Sequence, residues 1–287
     1  MSKTITALFD GDWLLYAAGF AGQKNELICP KLTGTEVFST MTQLKEAANT
    51  KELDEPVFSR FILDPDSHFF HSAKKMIEGN CQKIQDKLGR EVRVAMLIDG
   101  DGNFRNRIAT IVPYKGTRSV HAKPIKYNDI RQYLLDSWDA EIVLDQETDD
   151  EMAIRQTASD DTIIVSIDKD MLQVPGWHLN PNKGFKKVGP AEGLVRLYRQ
   201  AAMGDTVDNI KGAYKVGAAA AKKLFPAGGN VYEPDMWKHL VLCYERSIEK
   251  YGNKYGGLSA EEAALENMRL VYLRRKRDEL WLPPSER

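Results

Sequence analysis

The sequence has few cysteines and no long apolar run. Its 287 residues include only three cysteines, which lie far apart at Cys29, Cys81 and Cys243. This scarcity argues against a disulfide framework or a zinc knuckle, and it fits a reducing compartment. The apolar runs are far shorter than the roughly 20 residues that cross a bilayer, and the N-terminus shows no secretory signal. We therefore expect a cytoplasmic protein with no membrane partner.

Net charge is also nearly absent, since 40 Lys and Arg residues oppose 41 Asp and Glu residues and the formal charge is −1. Such a balance usually argues against a nucleic-acid partner. The charges are nevertheless unevenly placed. Residues 104–131 carry seven basic side chains and one acid, whereas residues 136–151 carry eight acids and no base. The small net charge is therefore the sum of a basic segment and an acidic segment. The carboxylates of the acidic segment repel one another unless cations neutralise them.

Aspartate follows each of the three clearest predicted strands. The runs and the residues that follow them are 4–9 with Asp10, 92–98 with Asp99, and 162–167 with Asp168. Helical patterns separate these runs, which predicts an α/β fold with a central, mostly parallel sheet flanked by helices. Ligands bind at the carboxyl ends of the strands in such sheets. We therefore expect the three carboxylates to converge at one edge.

Two further acidic groups join these candidates. Glu147, Asp149, Asp150 and Glu151 open the helix before the third strand, and Asp205 and Asp208 follow a later helix. About nine carboxylates in one site would suit two hard divalent ions such as Mg²⁺ or Mn²⁺. Two metals are the usual device for in-line phosphodiester hydrolysis. No His or Cys stands at metal-ligand spacing, so zinc is not expected.

The predicted secondary structure changes near residue 190, from alternating strands and helices to helices with little strand pattern. We predict an α/β core over 1–190, with a basic arch at about 104–131, and a helical subdomain over 191–287. Within the subdomain, residues 203–225 read as helix, glycine-containing turn and helix. Backbone N–H groups at the start of the second helix can bind duplex phosphates without reading sequence, although a plain helical hairpin is the alternative. The expected DNA contacts of arch and hairpin are Arg105, Arg107, Tyr114, Lys123, Lys126, Lys211, Gly212, Lys215, Gly217, Lys222 and Lys223.

Together these segments resemble the 5′-nuclease superfamily of flap endonucleases, polymerase 5′-nuclease domains and phage 5′→3′ exonucleases, the T7-type phage exonucleases most of all. The similarity covers roughly residues 5–225, and its motifs occur in the family's order. The matching stretches are Phe9-Asp-Gly-Asp-Trp, Leu97-Ile-Asp, Asn103-Phe-Arg, Tyr114-Lys-Gly-Thr-Arg, Glu147-Thr-Asp-Asp, Ser166-Ile-Asp-Lys-Asp and Met203-Gly-Asp-Thr-Val-Asp with the hairpin.

The resemblance implies a PIN-like 5′-nuclease fold with a helical arch and a helix-hairpin-helix element. It also implies two metal ions, with Asp101 as an alternative to Asp99, and a K⁺ ion at the hairpin. The implied ligands are Asp10, Asp99, Glu147, Asp149 and Asp150 for one metal, and Asp168, Asp170, Asp205 and Asp208 for the other. By the same resemblance, Lys115 and Arg118 grip the scissile phosphate and stabilise charge in the transition state.

The implied function is a 5′→3′ exonuclease or 5′ flap endonuclease. Its substrate would be duplex DNA with 5′ ends, nicks or flaps. Activity on RNA–DNA hybrids, primer removal in phage replication within the bacterial cytoplasm, and a monomeric state are further expectations.

Two alternatives stay open. A haloacid-dehalogenase-like phosphatase would use Asp10 as its nucleophile, but it needs a strand before Gly204, where the pattern is helical. A non-catalytic DNA-binding scaffold of the same fold predicts missing acids, whereas every implied position is occupied.

Overall fold

The computed structural model describes residues 3–29, 37–47, 57–117, 123–229 and 231–287. The chain forms two compact units. The first comprises Met1–Asp12, Asn80–His121 and Asp139–Arg287, and the second comprises Trp13–Gly79 and Ala122–Trp138. The first unit thus contains residues from both sides of position 190, and the division into domains 1–190 and 191–287 stays a prediction.

The secondary structure alternates strands and helices up to residue 190 and is helical thereafter. In chain order the strands are β1 (Thr4–Asp10), β2 (Gln23–Ile28), β3 (Phe58–Leu63), β4 (Glu91–Asp99), β5 (Glu141–Val143), β6 (Thr162–Val165), β7 (Gly176–Asn180) and β8 (Gly184–Val188). The helices are α1 (Gly11–Ala21), α2 (Met41–Ala47), α3 (Asp66–Leu88), α4 (Arg105–Ile108), α5 (Tyr127–Trp138), α6 (Thr148–Ala158), α7 (Pro190–Met203), α8 (Ala218–Leu224), α9 (Glu233–Tyr251) and α10 (Ala260–Val271).

The first unit is built on a six-stranded sheet with the order β5-β4-β1-β6-β7-β8. Only the β7–β8 pair is antiparallel, so the predicted mostly parallel sheet is confirmed. Strands β1, β4 and β6 are central because their apolar runs can be buried on both faces. In the register of the sheet Asp10 pairs with Leu97, and Phe9 pairs with Val165. The carboxyl ends of the three strands therefore lie at one edge.

Helix α6 packs against β1, β4 and β6. Its buried Met152 and Ala153 meet Leu8, Leu97 and Ile164 in one apolar cluster. This packing positions the N-terminus of α6, which carries the Glu147–Glu151 acids, beside the sheet edge.

The helical region after residue 190 is confirmed. Helices α7, α9 and α10 share a core that includes Tyr198, Leu240, Tyr244 and Met268. Between α7 and α8 the chain makes the expected hairpin, and Asp205 and Ile210 exchange backbone hydrogen bonds across it. Gly212 in this hairpin has φ +61°, and a Cβ there would stand 2.4 Å from Gly204 N. Because the backbone of another segment comes this close, only glycine fits at this position.

The hairpin of β7 and β8 is absent from the sequence prediction. Its outer strand reads Gly-Phe-Lys-Lys-Val, a polar stretch typical of a loop. Lysines on an edge strand prevent unwanted pairing with other sheets, so an edge strand can be polar and still form. The hairpin buries His178 and Leu179 on its inner strand.

The second unit contains the antiparallel β2–β3 pair and helix α5. The sequence predicts irregular structure over residues 21–60 with a helix near 41–48. Helix α2 confirms the helix. Strand β2 contradicts the irregular structure, because its polar residues pair with a strand that is distant in the chain. At the start of α5, Tyr127 packs edge-on against Tyr16. The described helices include none that is long and apolar enough to cross a membrane.

Buried His178 makes stability sensitive to acid. Its Nε2–H donates to the Val174 carbonyl at 2.8 Å, and burial lowers the pKa of His178 to about 4, with Lys186 adding to the effect. In the unfolded chain the pKa of this imidazole is about 6.5. Below that pH the unfolded chain binds a proton at His178 whereas the native chain does not, so the protein loses stability as the pH falls. From pH 7 to pH 5 this costs about 2 kcal/mol.

The measurement is urea unfolding at both pH values for the wild type and for His178→Gln, whose amide can still donate to Val174. The carboxylates titrate alike in both proteins, so the wild type should lose about 2 kcal/mol more than the variant. Equal losses would contradict this role.

Candidate active site

The carboxylates that end β1 and β4 are held by neighbouring donors. The Ser166 hydroxyl donates to Asp10 Oδ2 at 2.8 Å. Thr148 N–H donates to Asp99 Oδ1 at 2.6 Å, and Asp99 N–H donates to Asp12 Oδ2 at 2.8 Å. The donors thus fix the strand-end carboxylates beside the first turn of α6.

Glu147 is the N-cap of α6, and its N–H donates to Asp150 Oδ2 at 3.3 Å in a capping box. The helix N-terminus favours negative charge, which explains why several acids can share this turn. Asp149 points into a cavity of about 40 Å³ that Glu147 also lines.

The second predicted group lines the same cavity. Asp170 N–H donates to Asp168 Oδ1 at 2.7 Å, and Val207 N–H donates to Asp205 Oδ1 at 2.7 Å. The acidic residues around the cavity are Glu147, Asp149, Asp168, Asp170, Asp205 and Asp208. The hairpin acids therefore line one cavity with the acids after β6 and those at the start of α6.

Asp150 is the exception among the nine predicted ligands. It is completely buried, and Arg105 binds it through two bonds, Nη1 to Oδ2 at 2.5 Å and Nη2 to Oδ1 at 2.9 Å. Arg274 N–H donates to Oδ1 at 3.1 Å. Both oxygens are occupied by protein donors, so the predicted role of Asp150 as a metal ligand is corrected to an ion-pair partner of Arg105.

Arg105 is likewise corrected, from a predicted DNA contact to a buried structural residue. It is only 1% exposed, and its guanidinium also donates to the carbonyls of Leu270 and Tyr272 at 2.8 and 2.9 Å. Burial opposes its charge, but Asp150 outweighs that effect and raises the pKa of Arg105. A guanidinium so enclosed has no surface for a phosphate.

Tyr114 and Lys115 face the acids. The Tyr114 hydroxyl lies 3.1 Å from Glu147 Oε2 and 3.0 Å from Asp208 Oδ2. Burial and the neighbouring Glu147 raise the pKa of Tyr114, so the phenol stays protonated and donates. Lys115 Nζ forms an ion pair with Glu147, and Lys115 N–H donates to the Asp208 carbonyl at 2.8 Å. Tyr114, only 8% exposed, is corrected from a DNA contact to a residue that holds carboxylates.

The other predicted DNA contacts differ in accessibility. Gly212 is buried, and its N–H donates to Asn267 Oδ1 at 3.3 Å, so it is not available to a phosphate. Lys126 forms ion pairs with Asp66 and Asp129 at 2.8 Å. Arg118 lies outside the described residues. The exposed ones are Arg107, Lys123, Lys211, Lys215, Gly217, Lys222 and Lys223.

The carboxylates repel one another. Burial, then the charges of Asp168, Asp10, Glu147 and Asp99, raise the pKa of Asp149 well above its usual range. Burial and repulsion between carboxylates act on other acids of the site as well. Burial and neighbouring carboxylates raise the pKa of Asp12 and of Asp170 to about 7 and raise those of Asp99 and Asp208.

These observations test whether the residues fit divalent metal ions. The described side chains include no three Asp, Glu, His or Cys residues in the close arrangement of a formed metal centre. The donor set nevertheless consists of carboxylate oxygens, which Mg²⁺ and Mn²⁺ prefer. The cavity exceeds the roughly 10–15 Å³ that one water needs, and a cation would relieve the repulsion around Asp149. The chemistry of the site fits a divalent ion.

Sequence reasoning left Asp12 out of the ligand set. Asp12 accepts the Asp99 N–H, lies 3.3 Å from the Thr148 hydroxyl, and is close enough to Asp99 and Asp10 for their charges to act on it. The signal was present, because Asp12 stands two residues after a strand-end aspartate. The roles of Ser166 and Thr148 as donors to these carboxylates were also missed, although both residues stand within the quoted motifs.

Comparisons with known proteins address the fold. No protein-family model matches the chain, and curated proteins gave no match. The T5 5′-exonuclease with bound divalent zinc ions aligns over 93% of this chain and 89% of its own, with a TM-score of 0.54 and 18% identity. A bacteriophage T5 flap endonuclease complex with DNA and metal ions aligns over 71% and 91%, with a TM-score of 0.43 and 16% identity. The chain therefore shares the fold of the T5 5′-exonuclease.

Proposed function

We propose that this protein is a divalent-metal-dependent phosphodiesterase that acts on duplex DNA as a 5′→3′ exonuclease or 5′ flap endonuclease. The observation that carries the proposal is the group of carboxylates around one cavity beside Lys115. The acids that line the cavity come from three separate segments, and Asp10 and Asp99, from two more, act on the charge of Asp149. A purely structural role does not explain a cluster whose members raise one another's pKa values.

The residues divide the work of phosphodiester hydrolysis. Asp10, Asp99, Glu147 and Asp149 would hold one divalent ion, and Asp168, Asp170, Asp205 and Asp208 the other. Such ions, when bound, activate water and stabilise the leaving oxygen. Tyr114 links the two groups, because its hydroxyl reaches both Glu147 and Asp208. The exposed lysines of the hairpin would bind duplex phosphates, which carry no sequence information.

The T5 protein that shares this fold is a 5′-exonuclease. That activity fits an acidic cavity lined by hairpin acids and a hairpin with exposed lysines. RNA–DNA hybrids as substrates, a K⁺ ion at the hairpin, primer removal in phage replication and a monomeric state remain expectations of the resemblance.

The test is cleavage of a nicked duplex labelled at the 5′ end. With Mg²⁺, the purified protein should release short 5′ products, and EDTA should stop the reaction. A wild-type protein that shows no EDTA-sensitive cleavage on nicked, flapped or blunt duplexes would overturn the proposal.

Lys115→Ala should slow the chemical step by roughly 10²-fold, because its ammonium pairs with Glu147, is more accessible than the enclosed Arg105, and is placed to stabilise charge on the phosphate. Binding should change much less, since the exposed lysines remain. Single-turnover rates at saturating protein, with a separate titration of DNA binding, distinguish the two. Lys215→Ala is the matched control, and it should weaken binding with little effect on the rate. Loss of binding alone in Lys115→Ala would rule out this role.

The phosphatase alternative has no support in the fold. It requires a strand before Gly204, whereas helix α7 precedes that residue. The carboxylate of Asp10 is also engaged by Ser166, within a group of acids that a nucleophilic aspartate would not need.

A further inference from the structure

Helix α10 carries a buried acid, Glu266, that contacts the chain leading to Lys115. Thr110 N–H and Ile111 N–H each donate to Glu266 Oε1 at 2.8 Å. The Thr110 hydroxyl bonds to the other oxygen, Oε2. Glu266 itself is 8% exposed. One carboxylate thus satisfies two consecutive backbone donors and a hydroxyl, an arrangement stronger than bonds between neutral groups.

The contact lies at one end of a short connecting segment. Helix α4 ends at Ile108, and the chain then has no regular secondary structure through residues 109–113. Such a segment has no helix or strand bonds of its own to fix its path, so its backbone groups need other partners. Glu266 supplies those partners for residues 110 and 111.

The other end of the segment is held by the hairpin. Asn209 Nδ2 donates to the Pro113 carbonyl at 2.8 Å, and Lys115 N–H donates to the Asp208 carbonyl at 2.8 Å. Ile111 also packs against the helical core. Between these anchors the backbone has little freedom, and Lys115 sits at φ +55°. A non-glycine residue keeps that conformation only where its surroundings impose it.

We propose that Glu266 is a positioning residue for Lys115: it fixes the 109–115 segment so that the ammonium faces the acidic cavity. The inference rests on the proposed nuclease function. It gives helix α10, which lies outside the stretch that carries the family motifs, a part in catalysis. The role depends on accepting hydrogen bonds and not on an ion pair, because Glu266 is bonded here by neutral donors.

Glu266→Ala should lower the single-turnover cleavage rate by roughly tenfold or more, since small displacements of a reacting group are costly. DNA binding should stay within about twofold, because the phosphate-binding lysines of the hairpin are untouched. Glu266→Gln should keep the rate within about twofold, since its amide oxygen can accept both N–H bonds and its NH₂ can donate to Thr110. Exposed Glu261 lies on the same helix, and Glu261→Ala is the matched control.

A double-mutant cycle with Lys115→Ala separates positioning from general destabilisation. If Glu266 acts through Lys115, Glu266→Ala should cause no further loss of rate once Lys115 is Ala. The inference would be overturned if the fold-losses of rate in the two single variants multiplied in the double variant. It would also be overturned if Glu266→Gln cleaved as slowly as Glu266→Ala. Thermal unfolding shows whether Glu266→Ala is folded at the assay temperature. Should it not be, Thr110→Val removes one bond only and should show a smaller loss, again absent in the Lys115→Ala background.

The wild-type rate in the same assay keeps the two proposals apart. Metal-dependent cleavage by the wild type with unchanged Glu266→Ala refutes the positioning role and leaves the nuclease function standing. A wild type without cleavage refutes the nuclease function, and the positioning role falls with it.

Discussion

Replacement of Asp149 by Asn is expected to reduce metal-dependent cleavage by roughly 10³-fold or more, about 4 kcal/mol of transition-state stabilisation. Asp149 is the carboxylate that the others surround, and burial and four neighbouring acids raise its pKa. An amide keeps the shape of the side chain and removes the charge that a divalent ion needs. The rate is measured under single turnover with Mg²⁺ on the 5′-labelled nicked duplex.

The same substitution should change stability in the opposite direction. Without divalent ions the charge on Asp149 is unfavourable, so Asp149→Asn should unfold at a higher temperature than the wild type in EDTA. Mg²⁺ should stabilise the wild type, by about 1.4 kcal/mol at ten times its dissociation constant, and should stabilise the variant much less. Calorimetry with and without Mg²⁺ gives both quantities.

Asp160→Asn is the matched control, because Asp160 is exposed in the turn after α6. It should leave the cleavage rate and the response to Mg²⁺ unchanged. An Asp149→Asn variant that cleaves at the wild-type rate would remove Asp149 from the metal site. A variant that is less stable in EDTA would show that the carboxylates are not in mutual repulsion.

Arg105→Met is expected to destabilise the protein by about 3–5 kcal/mol, the usual cost of breaking a buried ion pair from one side. The variant leaves the fully buried Asp150 carboxylate without its two guanidinium bonds. It also removes the bonds that the guanidinium donates to the Leu270 and Tyr272 carbonyls. Urea unfolding at pH 7 measures the loss.

A second variant tests the physical reason. Arg105→Met combined with Asp150→Leu removes both charges, and it should recover much of the loss because apolar pairs can replace buried ion pairs. Arg107→Met, on the exposed side of α4, should change stability by less than about 0.5 kcal/mol. If Arg105→Met costs no more than Arg107→Met, the ion pair contributes nothing to stability.

The positions of the strand-end acids follow from the sequence because they depend on local pattern. Apolar β-rich runs predict β1, β4 and β6, and parallel strands share an edge where their carboxyl ends meet. Asp10 and Asp99 therefore belong at that edge whatever the rest of the chain does. The edge hairpin β7–β8 could not be predicted in this way, because a strand with one exposed side need not be apolar.

Asp149 and Asp150 show where local pattern stops being informative. They are adjacent acids in the first turn of one helix, and both match the family motif. Asp149 lines the cavity, whereas Asp150 is buried against Arg105, which lies 45 residues away in the chain. Nothing near either residue in the sequence distinguishes them, because the partner that does so comes from another element.

The sequence by itself determined the parallel sheet, the acidic edge and the basic hairpin, since periodicity and charge spacing act over a few residues. The tertiary structure alone decided which charged side chains are buried in ion pairs or hydrogen bonds within the protein and which remain accessible. The sequence motifs assign Arg105 to DNA and Asp150 to a metal, yet the fold buries both, as it does Glu266, and pairs them with long-range partners. The physical reason is that a buried charge requires a partner, and that partner is selected by packing between distant segments.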